Sequence, residues 1–70
     1  MKFIKIKEIL IAVDKIVSII GAGNKIDFIL VGNEELIIIT KNFNIDNLIK
    51  LMSITEGDLI DLSDVVEEIK

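Results

Sequence analysis

KIDFILVGNEELIIIT, residues 25–40, decides the architecture of this chain. Two runs rich in isoleucine, leucine and valine flank Gly32-Asn33, a dipeptide suited to a tight turn, so the segment reads as a β-hairpin with strands over 25–31 and about 35–40. Side chains alternate across a strand, so Ile26, Phe28 and Leu30 line one face, while Ile29 and Val31 share the other with Asp27. In the partner strand Leu36 and Ile38 likewise alternate with Ile37 and Ile39. A half-buried strand needs one apolar face, and this hairpin has two. Seventy residues, seventeen of them isoleucine, are too few to cover a sheet on both sides. An apolar surface centred on Ile29, Val31, Ile37 and Ile39 is therefore expected to meet another subunit or a partner protein.

Working outward, residues 9–20 are rich in isoleucine and valine, whose branched side chains favour extended backbone, and are read as strand. A helical stripe through Ile9, Val13, Ile16 and Ile20, ended by Gly21, is the competing reading and would give a β-α-β-β-α order. Gly21-Ala22-Gly23-Asn24 is a turn leading into the hairpin. KFIKI at 2–6 alternates as a short edge strand guarded by lysines. Downstream, Asn44 is placed to cap a helix with Asp46 in its first turn and Ile45, Leu48, Ile49 and Met52 along one face. Residues 58–62 are read as extended. Ser63 is then expected to cap a short amphipathic helix carrying Leu62, Val65, Val66 and Ile69. The expected fold is α+β: a small antiparallel β-meander closed by a helix over residues 1–53, with a short acidic amphipathic segment over 54–70 of the same single domain.

Composition narrows the chemistry. With no cysteine and no histidine, disulfide and zinc staples are not expected, which leaves oligomerisation as the usual support for so small a core. Residues 1–53 carry seven lysines against six acids, whereas 54–70 carry Glu56, Asp58, Asp61, Asp64, Glu67 and Glu68 against Lys70 alone. Arginine, tryptophan and tyrosine are absent, so direct nucleic-acid binding is disfavoured. No signal-peptide pattern and no charge-free run of membrane-spanning length is seen, and a cytoplasmic protein with no membrane partner is expected.

ILIAVDKIVSI, a short turn, KIDFILVGNEELIII and the helix opening at FNIDNLIKLM together resemble the small FlbD-like proteins of bacterial flagellar operons and related short bacterial and phage proteins. The resemblance covers roughly residues 1–52, with Ile16, Gly32 and Ile49 at typical positions. It lacks the Leu-Asn-Gly segment common in the first hairpin of that group, and the acidic extension lies outside the pattern. What it implies is strands joined by tight turns with a closing helix, in a non-enzymatic accessory module.

Three motifs invite a chemical reading. Gly21-Ala22-Gly23 follows a strand, as in dinucleotide-binding domains, but Ile26 stands where the third glycine belongs and another strand follows instead of a helix. A turn is the simpler account, although Gly21, Gly23, Asn24 and Lys25 together could offer amides and a cation to a small anion. Asp58, Asp61 and Asp64 recur every third residue without the ligand number or spacing of a calcium loop, so no metal and no cofactor is expected. With Glu67 and Glu68 they read as a solvated acidic face or as a docking surface for a basic partner, Leu62, Val65 and Val66 supplying apolar anchors. Candidate nucleophiles are confined to serines and threonines outside any catalytic pattern, and no catalytic residues are assigned. Three functions follow as expectations: a non-enzymatic interaction or regulatory module acting as a homo-oligomer; a phage-type inhibitor whose acidic surface mimics nucleic acid before a host nuclease or DNA-binding protein; and an oligomeric sponge for a small anion or nucleotide.

Overall fold

In the computed structural model, which describes residues 1–70, seven strands and one helix form an α+β domain with two sheets. The first sheet has the order β2 (Ile9–Ala12), β1 (Phe3–Ile6), β6 (Leu59–Asp61) and the second the order β3 (Ile16–Ala22), β4 (Lys25–Leu30), β5 (Glu35–Thr40), β7 (Val66–Ile69). β1 (Phe3–Ile6) turns at Lys7, whose φ of 56° is left-handed, into β2 (Ile9–Ala12). A single 3-10 turn, Val13–Lys15, leads to β3 (Ile16–Ala22).

β3, β4 (Lys25–Leu30) and β5 (Glu35–Thr40) are the expected antiparallel meander, so residues 9–20 are extended on either side of the 3-10 turn. Ala22 pairs with Lys25, leaving Gly23 and Asn24 as a two-residue loop. Gly23 has φ +61°, the conformation a type II′ hairpin takes at its first loop position and glycine adopts without strain. Gly32 (φ 87°) and Asn33 (φ 63°) supply the second reversal.

The helix α1 (Ile45–Ile54) begins at a reciprocal cap: the Asn44 side chain accepts from the Asn47 amide at 3.0 Å, and the Asn47 side chain accepts from the Asn44 amide at 2.8 Å. At its other end the Lys2 ammonium reaches the Thr55 carbonyl at 2.7 Å, satisfying an acceptor the helix leaves free. Leu48 is fully buried and Leu51 and Met52 are half-buried, but Ile49 is exposed. The packed stripe thus runs through 45, 48, 51 and 52: it keeps Ile45, Leu48 and Met52 of the expected face and exchanges Ile49 for Leu51, with Ile45 lying directly over Gly21.

Two further expectations are corrected. β1 is the central strand of its sheet, not an edge: it pairs antiparallel with β2 and parallel with β6 (Leu59–Asp61), and Ile4 and Ile6 are buried. The short helix expected after Ser63 is a strand, β7 (Val66–Ile69), paired antiparallel with β5 through Ile38–Ile69, Ile39–Glu68 and Thr40–Val66. A two-turn helix is marginal in isolation, whereas β5 offers a ladder to a segment rich in β-branched residues. Ser63 accordingly caps nothing; its hydroxyl accepts from the Lys7 amide at 2.8 Å.

One core joins the layers. Ile4, Ile6, Ile11 and Ile60 come from the first sheet, Ile26, Phe28, Ile38 and Val66 from the second, Leu48 from α1 and Leu62 from the segment between β6 and β7. Thr40 is the one buried polar residue, its hydroxyl shared between the carbonyls of Asn24 (2.9 Å) and Phe43. No helix is long and apolar enough to cross a membrane.

Candidate association surface

The pairing registers fix what the second sheet presents away from the core. Ile26–Ile38, Phe28–Leu36 and Thr40–Val66 pair on the inner face, so the alternate rows point outward: Ser18–Ile29–Glu35, Ile20–Asp27–Ile37 and Ala22–Lys25–Ile39–Glu68. Of the four residues expected to form an apolar second face, Ile29, Ile37 and Ile39 lie on it half-buried, and Val31, just beyond β4, is 58% exposed. Ile20 (56% exposed) and Val17 (67% exposed) extend the patch to the edge of the sheet. These two were not assigned from sequence, although β3 alternation in register with Asp27 places Ile20 outward.

Carboxylates sit within this apolar face. Asp27 lies between Ile20 and Ile37, and its Oδ1 is buried without a hydrogen-bond partner. A hydrogen bond to the Asp27 carboxyl, the charge of that same group and a smaller desolvation hold the Glu35 carboxyl above its ordinary range, against the pull of Lys25.

The other expected site residues are dispersed. Leu62 and Val66 are in the chain's own core and Val65 is half-buried against it, so this fold presents none of the three as a free anchor. Asp58, Asp61, Asp64, Glu67 and Glu68 are all exposed, but along two strands of different sheets and their connection. No group of three or more carboxylates is placed to hold a metal ion. Asp61 is the most engaged: hydrogen bonds from the Ser63 hydroxyl and from the Ser63 amide, the latter at 2.9 Å, hold its carboxyl below the ordinary range.

Nor do Gly21, Gly23, Asn24 and Lys25 converge on an anion. Gly21 lies under Ile45, the Asn24 carbonyl accepts from both the amide and the hydroxyl of Thr40, and Lys25 belongs to the outer face. Gly23 and Asn24 do border an open polar groove of about 650 Å³ beside the start of α1. There the Asn47 amide is already taken by the Asn44 cap, and Glu67 contributes a carboxylate to the wall. A scan against family models and searches of curated proteins and of solved structures found no match to this chain.

Proposed function

We propose that this chain is a non-enzymatic interaction module that works as a homo-oligomer, with the outer face of the β3-β4-β5-β7 sheet as its association surface. The observation that carries the reading is the group of Ile20, Ile29, Ile37 and Ile39 on a sheet face that no other element of the chain covers, continued by exposed Val17 and Val31. A chain of seventy residues has little core to stabilise it, and covering such a face with a second copy buries apolar area that the monomer leaves wet. A regulatory role in the cytoplasm, through a further protein bound by the assembled form, completes the proposal. Dispersal of the acidic residues over two sheets favours this reading over a nucleic-acid mimic, and the occupied amides beside the polar groove favour it over a nucleotide sponge.

Size-exclusion chromatography with light scattering, across a hundredfold range of concentration, tests it. A mass that rises to a defined multiple of 7.8 kDa supports the reading. A monomer at every concentration removes it.

A further inference from the structure

Besides the outer face, the sheets offer edges for association, and these differ sharply in what they allow. β3 is the longest strand, seven residues, and lies at an edge of its sheet with β4 as its sole neighbour. Apart from the Ile16 amide, which donates to the Val13 carbonyl at the end of the 3-10 turn, no backbone hydrogen bond outside the sheet ladder involves its residues, so the outward-directed amides and carbonyls of residues 17–22 have no backbone partner. Free edges are normally blunted by charge, proline or brevity. β3 has no charged residue and no proline. Each of the other edges is blunted: β7 is four residues long with Glu67 and Glu68 in its middle, β6 is three residues long and ends in Asp61, and β2 is four residues long.

From this we propose that two copies of the chain join by antiparallel pairing of β3 with β3 about Ile20, making one continuous eight-stranded sheet. The inference rests on the homo-oligomer reading above and adds an edge contact to it: this pairing leaves Ile29, Ile37 and Ile39 uncovered on the outer face of the joined sheet, which stays available for face-to-face contact in the assembly. Three points fix the occupant and the register. An uncharged strand can lie antiparallel to itself without setting like charges opposite one another, which β7 cannot do. The pairing is isologous, so one strand supplies both halves of a closed two-fold dimer. A bulge at Val17 breaks the β3–β4 ladder between Ile16 and Ser18, so the regular stretch is 18–22. Centring the two-fold on Ile20 pairs Ser18 with Ala22, Ile19 with Gly21 and Ile20 with its own copy, which uses all of that stretch. It also sets the two exposed Ile20 side chains together on the outer face, flanked by the small side chains of Ser18 and Ala22.

Because the chain has no cysteine, the register can be read with single introduced thiols. Directly opposed residues of an antiparallel pair lie about 4.5 or 5.5 Å apart between Cα atoms, within the roughly 4.4–6.8 Å that a disulfide spans. Ile20→Cys is compared with Leu10→Cys, a residue on the β2 edge of nearly equal exposure (56% and 58%). Under mild oxidation Ile20→Cys should form a covalent dimer at least about tenfold faster, since a preformed pair holds its two thiols at an effective concentration in the millimolar range. The unmodified protein provides the second measurement: amide hydrogen exchange along 18–22 should slow as concentration rises. An oligomer in which Ile20→Cys cross-links no faster than Leu10→Cys, with exchange in β3 independent of concentration, overturns the edge pairing while the association reading stands. A concentration-independent monomer overturns both.

Discussion

Gly21→Ala is the substitution whose cost can be worked most directly from the structure. A Cβ built on Gly21 would lie 2.5 Å from the Cβ of Ile45 and 2.7 Å from its Cγ2. Carbon atoms in contact prefer about 3.5–4.0 Å, so the shortfall is on the order of 1 Å. The obstacle is attached to the first residue of α1, not to the far end of a flexible chain, so relief requires the helix itself to move. That motion would pull on Leu48, which is fully buried one turn later. Overpacking costs about 1–3 kcal/mol, and the attachment to backbone places this case at about 2–3. For a domain of this size that corresponds to a fall in Tm of roughly 10–20 °C, measured by circular dichroism on heating. Ile45→Ala removes Cγ2 and Cδ1 but keeps the Cβ, so it should relieve the clash in part; Ile45→Gly should relieve it fully. In the cycle of Gly21→Ala with Ile45→Gly, the two changes should therefore couple favourably by about 1–3 kcal/mol. A Gly21→Ala protein melting within about 2 °C of the parent, or a cost unchanged in the Ile45→Gly background, would refute the reasoning.

Thr40→Val keeps the shape of the buried side chain but strips the part-buried Phe43 carbonyl of its hydroxyl partner, and should lower stability by about 1–2 kcal/mol in urea unfolding. Glu35→Gln should stabilise the fold at neutral pH. The folded-state pKa of Glu35 is raised, so its protonated form favours the folded state and stability declines as pH rises through that pKa; the amide variant should lack this part of the decline. In Ser63→Ala the Asp61 titration, followed by carboxyl-carbon NMR, should move up toward the ordinary value but not reach it, because the Ser63 amide remains. The parent's depressed Asp61 pKa contributes stability that is full above the unfolded-state value and is lost as pH falls through the folded one. Ser63→Ala should therefore show a shallower loss in acid.

The local signals in the sequence were legible where turn chemistry and alternation agree. The turn read at Gly21–Asn24, which the structure narrows to Gly23-Asn24, and the one at Gly32-Asn33 set the meander, and Asn44 starts the helix as expected. The outer positions of Ile29, Ile37 and Ile39 likewise follow from period two. What pattern could not supply was choice among partners. Val65, Val66 and Ile69 satisfy a helical stripe and a strand equally, and the open flank of β5 decided between them. Leu62 and Val66 carry the composition of surface anchors in an acidic tail, yet long-range pairing draws them into the core. β1 looks like a guarded edge until residues 59–61 arrive beside it. The contact between Gly21 and Ile45, which sets the helix rotation, leaves no mark in either local pattern.

The parallel pairing of β1 with β6 has a consequence for how the molecule is made. Phe3 lies beside Leu59, 56 positions apart in sequence, and the Phe3 amide donates to the Asp58 carbonyl at 2.7 Å. β7 closes the other sheet later still, at residues 66–69. A ribosome delivering this chain therefore releases β1 and β5 long before the strands that cover them, and neither sheet can be completed while residues 59–69 remain in the exit tunnel. Folding dominated by such distant contacts is intrinsically slow. During that interval nascent chains would expose unpaired, isoleucine-rich backbone, which makes the time before residues 59–69 emerge, more than the mature fold, the stage at which a chaperone would matter.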